Sequence, residues 1–173
     1  KISSVKFIKS AIPFIIFTLL SVLLYYKTLH APFILDDNGY ITTNYKIRNL
    51  STLIIDFSGT RYIGFLTFAI NYYFGGLNTY GYHIVNILIH ILNTSLVYLL
   101  VKITIDRFRI QNPEFRIQDL KLKTLNYLPF IVSLIFLVHP IQTQAVSYIT
   151  QRFTSLATLF YLLALVVYGT VAK

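Results

Sequence analysis

Two adjacent acids, Asp36 and Asp37, are the residues of this 173-residue sequence best suited to proton transfer. They follow a short apolar run, Pro32 to Leu35, and come soon after the first long uncharged segment. A carboxylate in that position can act as the general base that activates an incoming hydroxyl group. The run Asp-Asp-Asn-Gly is also ordinary turn sequence. The pair is therefore interpreted as a turn, as a catalytic base, or as both.

Four basic side chains could bind an anionic substrate. Arg61 and Arg152 lie near the ends of long apolar runs, and a guanidinium can bind phosphate through two hydrogen bonds. Arginine at such a place is also typical of an interfacial anchor. His139 precedes Pro140 and is either a helix-end residue or a proton donor that contacts phosphate. His83 stands at the outer rim of an apolar run, where it is a candidate for the site.

A polar stripe runs along the segment that begins at His83. Asn86, His90 and then Asn93 or Thr94 follow at steps of three or four, which puts them on one helix face. Polar groups at membrane depth face the protein interior, so helix-to-helix hydrogen bonds are expected for His90 and Asn93. Two histidines seven residues apart without a nearby acid are a weak metal signal. No metal site and no cofactor are predicted, and a divalent ion stays an open alternative.

The composition indicates a chain that is buried in a bilayer. Hydrophobic residues make up 55% and charged residues 12% of the sequence. Soluble domains carry about 25% charged residues. The net charge of +9 does not indicate a nucleic-acid partner, because the basic residues are spread between the apolar runs rather than gathered in one patch. The absence of cysteine excludes disulfides and thiolate metal sites.

Four runs are candidates for crossing about 30 Å of hydrocarbon. We predict an all-α membrane protein that forms one transmembrane module over residues 1–173, with spans at about 8–26, 83–105, 127–138 and 153–172. The basic start of the first run also fits a signal peptide, and an uncleaved helix is the preferred interpretation. Between the spans we expect an external loop over 27–82, which holds an interfacial helix over 64–74, and a cytoplasmic loop over 106–126. Residues 141–151 are expected to form a short connecting helix.

The distribution of lysine and arginine predicts the orientation in the membrane. Ten of the 15 basic residues lie in the N-terminal tail, in the segment 102–123 and at Lys173. Cytoplasmic segments carry the excess of basic residues. The N-terminus is therefore expected in the cytoplasm, and Asp36 and Asp37 on the external face.

The ordered set of motifs resembles a known family. The motifs are Phe33 to Asp37, Ile41, Asn44, Arg61, Leu66 to Phe68, Asn71-Tyr72, Gly75 to Leu77, Gly81 to His83, Asn86, His90, Val138 to Arg152, Phe160 to Leu165 and Tyr168. Together they resemble the tetratricopeptide-repeat-containing transmembrane O-mannosyltransferases and their bacterial relatives, within the protein-mannosyltransferase type of GT-C fold. The similarity covers residues 33–168.

The resemblance implies a GT-C-like N-terminal module of an enzyme on the outer membrane face. Such enzymes transfer a sugar from a polyprenyl-phosphate donor to a hydroxyl of an acceptor protein, with inversion. The acidic pair of the first external loop matches Asp36 and Asp37, and Asp36 is the predicted base. Arg61, His139 and Arg152 match family positions near the leaving phosphate. A bacterial plasma membrane is the expected location, with membrane lipid and other membrane subunits as further partners.

Two departures and the length leave alternatives open. Relatives often have proline where this chain has Tyr62, and many have glutamate where it has Gln144. Family enzymes also have more spans, so we expect a fragment that needs further helices or a partner chain. The alternative is a non-catalytic membrane subunit that packs within a larger complex. A small transporter or channel subunit is a third interpretation, and the polar stripe is its only support.

Overall fold

The computed structural model describes residues 2–51, 60–111 and 119–171, with side chains described for 11–51, 60–111 and 125–171. Short connections separate helices throughout these residues, and none of them forms a strand. The predicted all-α class is confirmed. The helices are α1 (Ile2–Tyr25), α2 (Tyr62–Gly75), α3 (Thr79–Gln111), α4 (Asp119–Val138), α5 (Gln142–Ser147) and α6 (Arg152–Val171).

Three helical segments are long and apolar enough to cross a membrane, and a fourth apolar helix is shorter. The long segments are Ala11–His30, Thr79–Gln111 and Ile149–Val171, and the shorter one is Leu125–Val138. Each of them overlaps one of the four predicted spans. The chain is therefore an integral membrane protein. The side of the membrane that each loop faces, and the single module over 1–173, stay predictions.

Helix α3 is longer than the span predicted for it. The prediction was 83–105, whereas the helix has 33 residues and runs from Thr79 to Gln111. At 1.5 Å per residue it is about 50 Å long, so its ends extend beyond the hydrocarbon core. It continues past Ile105 because no helix-breaking residue occurs before Pro113. Helix α4 likewise begins at Asp119, so much of the segment predicted as a loop over 106–126 is helical.

The first, third and fourth helices meet through aromatic side chains. The ring of Phe17 on α1 stacks on Phe130 of α4, with centroids 5.7 Å apart. The ring of Tyr98 on α3 makes a T-shaped contact with Phe17, with centroids 6.0 Å apart. Phe17 is fully buried by these contacts. Helices α1, α3 and α4 thereby contact one another, and α3 also packs against α6.

The breaks in the helices follow from local sequence. Helix α2 ends at Gly75, and Gly76 has a positive φ of 57°, a conformation that glycine adopts without steric cost. Asn78 then accepts a hydrogen bond from the Tyr80 amide at 3.0 Å at the start of α3. Helix α4 ends at Val138, before His139 and Pro140, as the proline predicts.

The predicted interfacial and connecting helices are both present as helices. Helix α2 covers the predicted range 64–74 and extends it by two residues at its start and one at its end. The predicted connection over 141–151 divides into α5 and a 3₁₀ turn, Ile149–Gln151, with extended Tyr148 between them. The position of α2 relative to the membrane surface stays a prediction.

The segment that follows α1 folds back onto α2, α3 and the start of α6. It contains a 3₁₀ turn (Tyr26–His30), a π-helical turn (Asn38–Thr42) and a second 3₁₀ turn (Tyr45–Arg48). One hydrophobic cluster holds it in place, and its buried members are Ile41, Ile47, Phe68, Ala69, Tyr82 and Ile149. Because burial of apolar surface drives this packing, the segment has a defined structure around Asp36.

Candidate functional site

Asp36 is exposed in the folded segment that follows α1. Its backbone N–H donates a hydrogen bond to the hydroxyl of Tyr148, 2.9 Å away. Leu35 before it has a φ of 46°, a left-handed conformation that is strained for leucine. Among the described residues, no donor contacts the Asp36 carboxylate, so it is available to a substrate hydroxyl.

Asp37 has a different environment from its neighbour. It is only 1% exposed. One carboxylate oxygen, Oδ2, accepts the Ile34 N–H at 3.1 Å, and the other, Oδ1, accepts the Thr150 N–H at 2.9 Å. Both carboxylate oxygens are therefore occupied by backbone N–H groups. The contact with Thr150 joins residues 113 positions apart in the sequence. The catalytic role predicted for Asp37 stays a prediction, and its contacts give it a structural role.

A polar cavity of about 550 Å³ opens beside Asp36. Its walls come from the segment that follows α1, from the N-terminus of α2, from the 3₁₀ turn Ile149–Gln151 and from the start of α6. The lining residues are Asp36, Tyr40, Arg61, Thr150, Gln151, Phe153, Thr154 and Ala157. The cavity thus brings the predicted base and one of the predicted phosphate ligands, Arg61, to the same space.

Arg61 is exposed at the N-terminus of α2. Its guanidinium lies over the ring of Phe153, 5.3 Å from the centroid, and its Nη1 donates to the Tyr40 hydroxyl at 3.4 Å. Its backbone has a φ of 64°, which is unusual for arginine. Strained backbone that is held by its surroundings occurs preferentially at functional sites. Within the described residues Tyr40 is the only side-chain acceptor that Arg61 contacts, so most of its donors can serve a ligand.

An apolar groove of about 420 Å³ adjoins the polar cavity. It lies between α2 and α6, and its lining residues are Arg61, Tyr62, Ile63, Gly64, Phe153, Leu156, Ala157 and Phe160. Three residues line both spaces: Arg61, Phe153 and Ala157. Arg61 therefore lies where the apolar groove meets the polar cavity.

Arg152 is the largest fully buried side chain among the described residues, with no exposed surface. Its guanidinium lies over Phe68, 4.5 Å from the ring centroid. It donates four hydrogen bonds, namely Nε to Asn86 Oδ1 (2.8 Å), Nη1 to Asn71 Oδ1 (2.7 Å) and to Thr67 Oγ1 (3.2 Å), and Nη2 to the Tyr82 carbonyl (2.7 Å). These bonds satisfy a buried charge that would otherwise be costly. The contact predicted between Arg152 and a donor phosphate stays a prediction, and protein groups enclose the guanidinium.

The polar stripe of α3 faces other helices and loops, as its spacing predicts. His90 Nε2 lies 3.2 Å from the Leu137 carbonyl, and Asn93 Nδ2 donates to the Ser155 carbonyl at 3.1 Å. The helix-to-helix hydrogen bonds expected for His90 and Asn93 are present. His83 is fully buried, with its Nε2 3.2 Å from the Ala31 carbonyl. Its predicted contact with substrate stays a prediction.

His139 is exposed at the end of α4. Its Nδ1 accepts the Ile141 N–H at 3.2 Å, a contact within the turn that ends the helix. Among the described residues, His139 does not line the polar cavity that holds Asp36 and Arg61. The proton-donor and phosphate roles predicted for it stay predictions.

No group of three or more histidine, cysteine, aspartate or glutamate side chains that could hold a metal ion occurs in the part of the chain that the structure describes. The acids of the site are Asp36 and Asp37, and both oxygens of Asp37 already accept backbone N–H groups. A divalent ion stays untested.

Sequence reasoning assigned no individual role to several residues that hold the site together, although Tyr148, Thr67 and Asn71 lie within its quoted motifs. Tyr148 and Tyr40 contact Asp36 and Arg61, and nothing in the spacing of these tyrosines indicates it. Thr67 and Asn71 could have been found, because they are polar residues four apart within the apolar helix α2. That spacing puts them on one face, which is the face that receives Arg152.

Several curated proteins resemble this chain. Human protein O-mannosyl-transferase TMTC2 (Homo sapiens) is 34% identical over 164 residues, which cover 86% of this chain and 18% of the relative. Human TMTC1 is 32% identical over 165 residues, covering 86% and 17%. Tmtc3 of Drosophila melanogaster is 27% identical over 178 residues, covering 93% and 19%. No protein-family model and no solved structure matches the chain.

The matches extend over most of this chain but over only part of each relative. The chain spans about a fifth of the length of the curated relatives that it matches. It is an integral membrane protein, and these relatives share the name protein O-mannosyl-transferase. The matches cover 86% or more of the 173 residues. The chain therefore belongs to the TMTC family of protein O-mannosyl-transferases.

Proposed function

We propose that the chain forms the Asp36-bearing part of a membrane glycosyltransferase with a GT-C-like fold. The enzyme transfers mannose from a polyprenyl-phosphate donor to a hydroxyl group of an acceptor protein. The sugar is inferred from the name of the relatives. The observation that carries the proposal is the junction at Arg61, where an apolar groove meets the polar cavity that Asp36 lines.

A polyprenyl-phosphate sugar has three parts, and each matches one part of this site. The apolar groove between α2 and α6, which Leu156 and Phe160 line, suits the prenyl chain. The guanidinium of Arg61 suits the phosphate, because arginine binds phosphate oxygens through two parallel hydrogen bonds. The polar cavity beside Asp36 and Gln151 suits the sugar and the incoming hydroxyl.

The transfer reaction needs a base on one side of the sugar and a stabilised leaving group on the other. Asp36 takes the proton of the acceptor hydroxyl while the oxygen of that hydroxyl forms a bond to the anomeric carbon. The bond from that carbon to the phosphate oxygen breaks, and the configuration inverts because attack and departure occur on opposite faces. The electron pair stays on the phosphate oxygen, where Arg61 stabilises the charge that develops.

The proposed location is the external face of a bacterial plasma membrane, with the N-terminus in the cytoplasm. The support is the excess of basic residues in the N-terminal tail and in the segment 102–123. The proposed partners are membrane lipid, the lipid-phosphate donor, an acceptor protein and further membrane helices that close the site.

The alternative is a non-catalytic subunit that packs within a larger membrane complex. Gln144 favours it, because the resemblance leads us to expect glutamate there. Its side chain is exposed on α5, where an acid could serve an open site. Wild-type protein that transfers no sugar but co-purifies with other membrane proteins would support this alternative.

The test is the substitution Asp36→Asn in the natural protein in membranes. The assay measures radiolabel that passes from a polyprenyl-phosphate mannose donor into protein. Loss of general-base catalysis is expected to lower the rate of transfer by about 10²- to 10⁴-fold, with expression unchanged. Asp106→Asn is the matched control, because this acid lies far along α3, outside the cavity lining. Unchanged transfer in Asp36→Asn would refute the proposal.

A further inference from the structure

Two hydrogen bonds tie the loop that carries Asp36 and Asp37 to the α5–α6 junction, which consists of residues 148–151. The Tyr148 hydroxyl accepts the Asp36 N–H at 2.9 Å, and the Thr150 N–H donates to the Asp37 carboxylate at 2.9 Å. Each bond joins residues more than 110 positions apart in the sequence. The position of the Asp36 carboxylate therefore depends on the junction, and not on the loop alone.

The junction is held in turn by one side chain of α3. The amide Nδ2 of Asn86 lies 3.3 Å from each of three carbonyl oxygens, those of Val146, Tyr148 and Ile149. Its Oδ1 accepts the Nε–H of Arg152 at 2.8 Å. The amide is nearly fully buried. Asn86 thus fixes the turn from which Tyr148 projects, and Arg152 fixes Asn86.

Arg152 is itself in one place because α2 and α3 surround it. Its Nη1 donates to Asn71 and Thr67, and its Nη2 to the Tyr82 carbonyl. A continuous series of hydrogen bonds therefore leads from α2 through Arg152, Asn86 and Tyr148 to the backbone of Asp36.

We propose that Tyr148 is a positioning residue for the transfer reaction, and that the Asn86–Arg152 pair acts on the reaction through Tyr148. This proposal rests on the proposed function. In it, Arg152 serves the reaction from behind the site and does not contact the donor phosphate. The strained, left-handed Leu35 supports the role, because such backbone persists only where its surroundings hold it. Without the Tyr148 hydroxyl, Leu35 relaxes and Asp36 leaves the reach of the acceptor hydroxyl.

The first test follows the loop directly and needs no activity. The chain has no cysteine, so Asp36→Cys introduces a single thiol into it, and the Asp36 backbone N–H that bonds to Tyr148 is kept. A nitroxide spin label on this thiol reports loop motion in the natural protein in membranes, with any cysteine outside these 173 residues replaced by serine. Adding Tyr148→Phe is expected to narrow the lines of the electron paramagnetic resonance spectrum, because the label becomes more mobile. Tyr161→Phe is the matched control, since this tyrosine is 65% exposed on α6.

The second test measures transfer from radiolabelled polyprenyl-phosphate mannose. A misplacement of about 1 Å can cost on the order of 100-fold in rate, so Tyr148→Phe is expected to lower kcat by about 10- to 100-fold. KM for the donor is expected to change less than about twofold, since the groove and Arg61 are untouched. Asn86→Asp is the second variant, because it keeps an oxygen for Arg152 and loses the donor to the three carbonyls.

The outcomes separate the two proposals. An unchanged spectrum, an unchanged kcat, or a raised KM with normal kcat in Tyr148→Phe would each overturn the positioning role. Transfer that survives Asp36→Asn would instead overturn the proposed function, while the spin-label spectrum would still decide whether Tyr148 holds the loop. A fall in kcat and a mobile label in both Tyr148→Phe and Asn86→Asp are the expected result.

Discussion

Asp36 and Asp37, the two adjacent acids of the segment that follows α1, are predicted to differ in their response to the same substitution: replacement of Asp37 by asparagine lowers stability, and replacement of Asp36 does not. Asp37→Asn keeps the volume of the side chain but replaces one acceptor oxygen with an NH₂ donor. In the structure both Asp37 oxygens accept backbone N–H groups, from Ile34 and from Thr150. The amide can serve only one of them, and its NH₂ group then faces the other N–H. Asp37→Asn therefore breaks a contact between the segment that follows α1 and the 3₁₀ turn Ile149–Gln151.

The magnitude follows from the type of bond and from burial. A hydrogen bond to a charged group contributes about 1.5–3 kcal/mol, and a buried N–H left without an acceptor costs about 1–3 kcal/mol. Asp37 is 1% exposed, so solvent does not replace the lost acceptor. We expect a loss of about 2–4 kcal/mol in the free energy of unfolding. At about 2–4 °C per kcal/mol for a chain of this size, Tm falls by about 5–15 °C.

The assay is thermal unfolding in detergent, followed by the loss of the monodisperse peak in size-exclusion chromatography. Asp36→Asn is the matched variant, because the exposed Asp36 carboxylate contacts no donor among the described residues. Its Tm is expected to stay within about 1 °C of wild type, in line with surface substitutions. Equal Tm values for the two variants, or a larger fall for Asp36→Asn, would refute the division of roles between the two acids.

Two further substitutions test the walls of the apolar groove. Gly64→Ala puts a Cβ 2.2 Å from the ring of Phe153, which other aromatic rings hold in place, so a loss of about 1–3 kcal/mol in stability is expected in a thermal melt. Gly75→Ala on the same helix is its control, because nothing lies within 4 Å of the new Cβ; equal Tm values for the two would contradict the packing. Arg61→Lys keeps the charge but loses the planar contact with Phe153 and two-pronged phosphate binding. We expect kcat/KM for a polyprenyl-phosphate donor to fall about tenfold, which is about 1.4 kcal/mol, and an unchanged value would count against phosphate binding at Arg61.

The helices could be predicted because their signals are local. Uncharged runs and breakers such as Pro140 lie within a few residues of the structure that they determine. The length of α3 was underestimated because the prediction stopped where charges begin, near Asp106. A helix end depends on helix-breaking residues rather than on the edge of the bilayer. No proline or glycine occurs between Ile105 and Pro113.

The site was predictable in its residues but not in their division of labour. In the sequence, nothing distinguishes Asp36 from Asp37. Likewise, nothing distinguishes Arg61 from Arg152, because both lie near the ends of apolar runs. Burial separates them, since Arg61 and Asp36 line a cavity whereas Arg152 and Asp37 do not. The groups that bury Arg152 come from α2 and α3, between 66 and 85 residues earlier in the chain. No local pattern reports such distant pairing.

The buried guanidinium has a consequence for the order in which the protein is made. All four residues that accept hydrogen bonds from Arg152 precede it in the sequence, between Thr67 and Asn86. Synthesis proceeds from the N-terminus, so the ribosome has made α2 and α3 before the cation emerges. The acceptors of the buried guanidinium are thus present in the chain before Arg152 is added. Helix α6 can therefore dock on acceptor groups of α2 and α3 that have already been made.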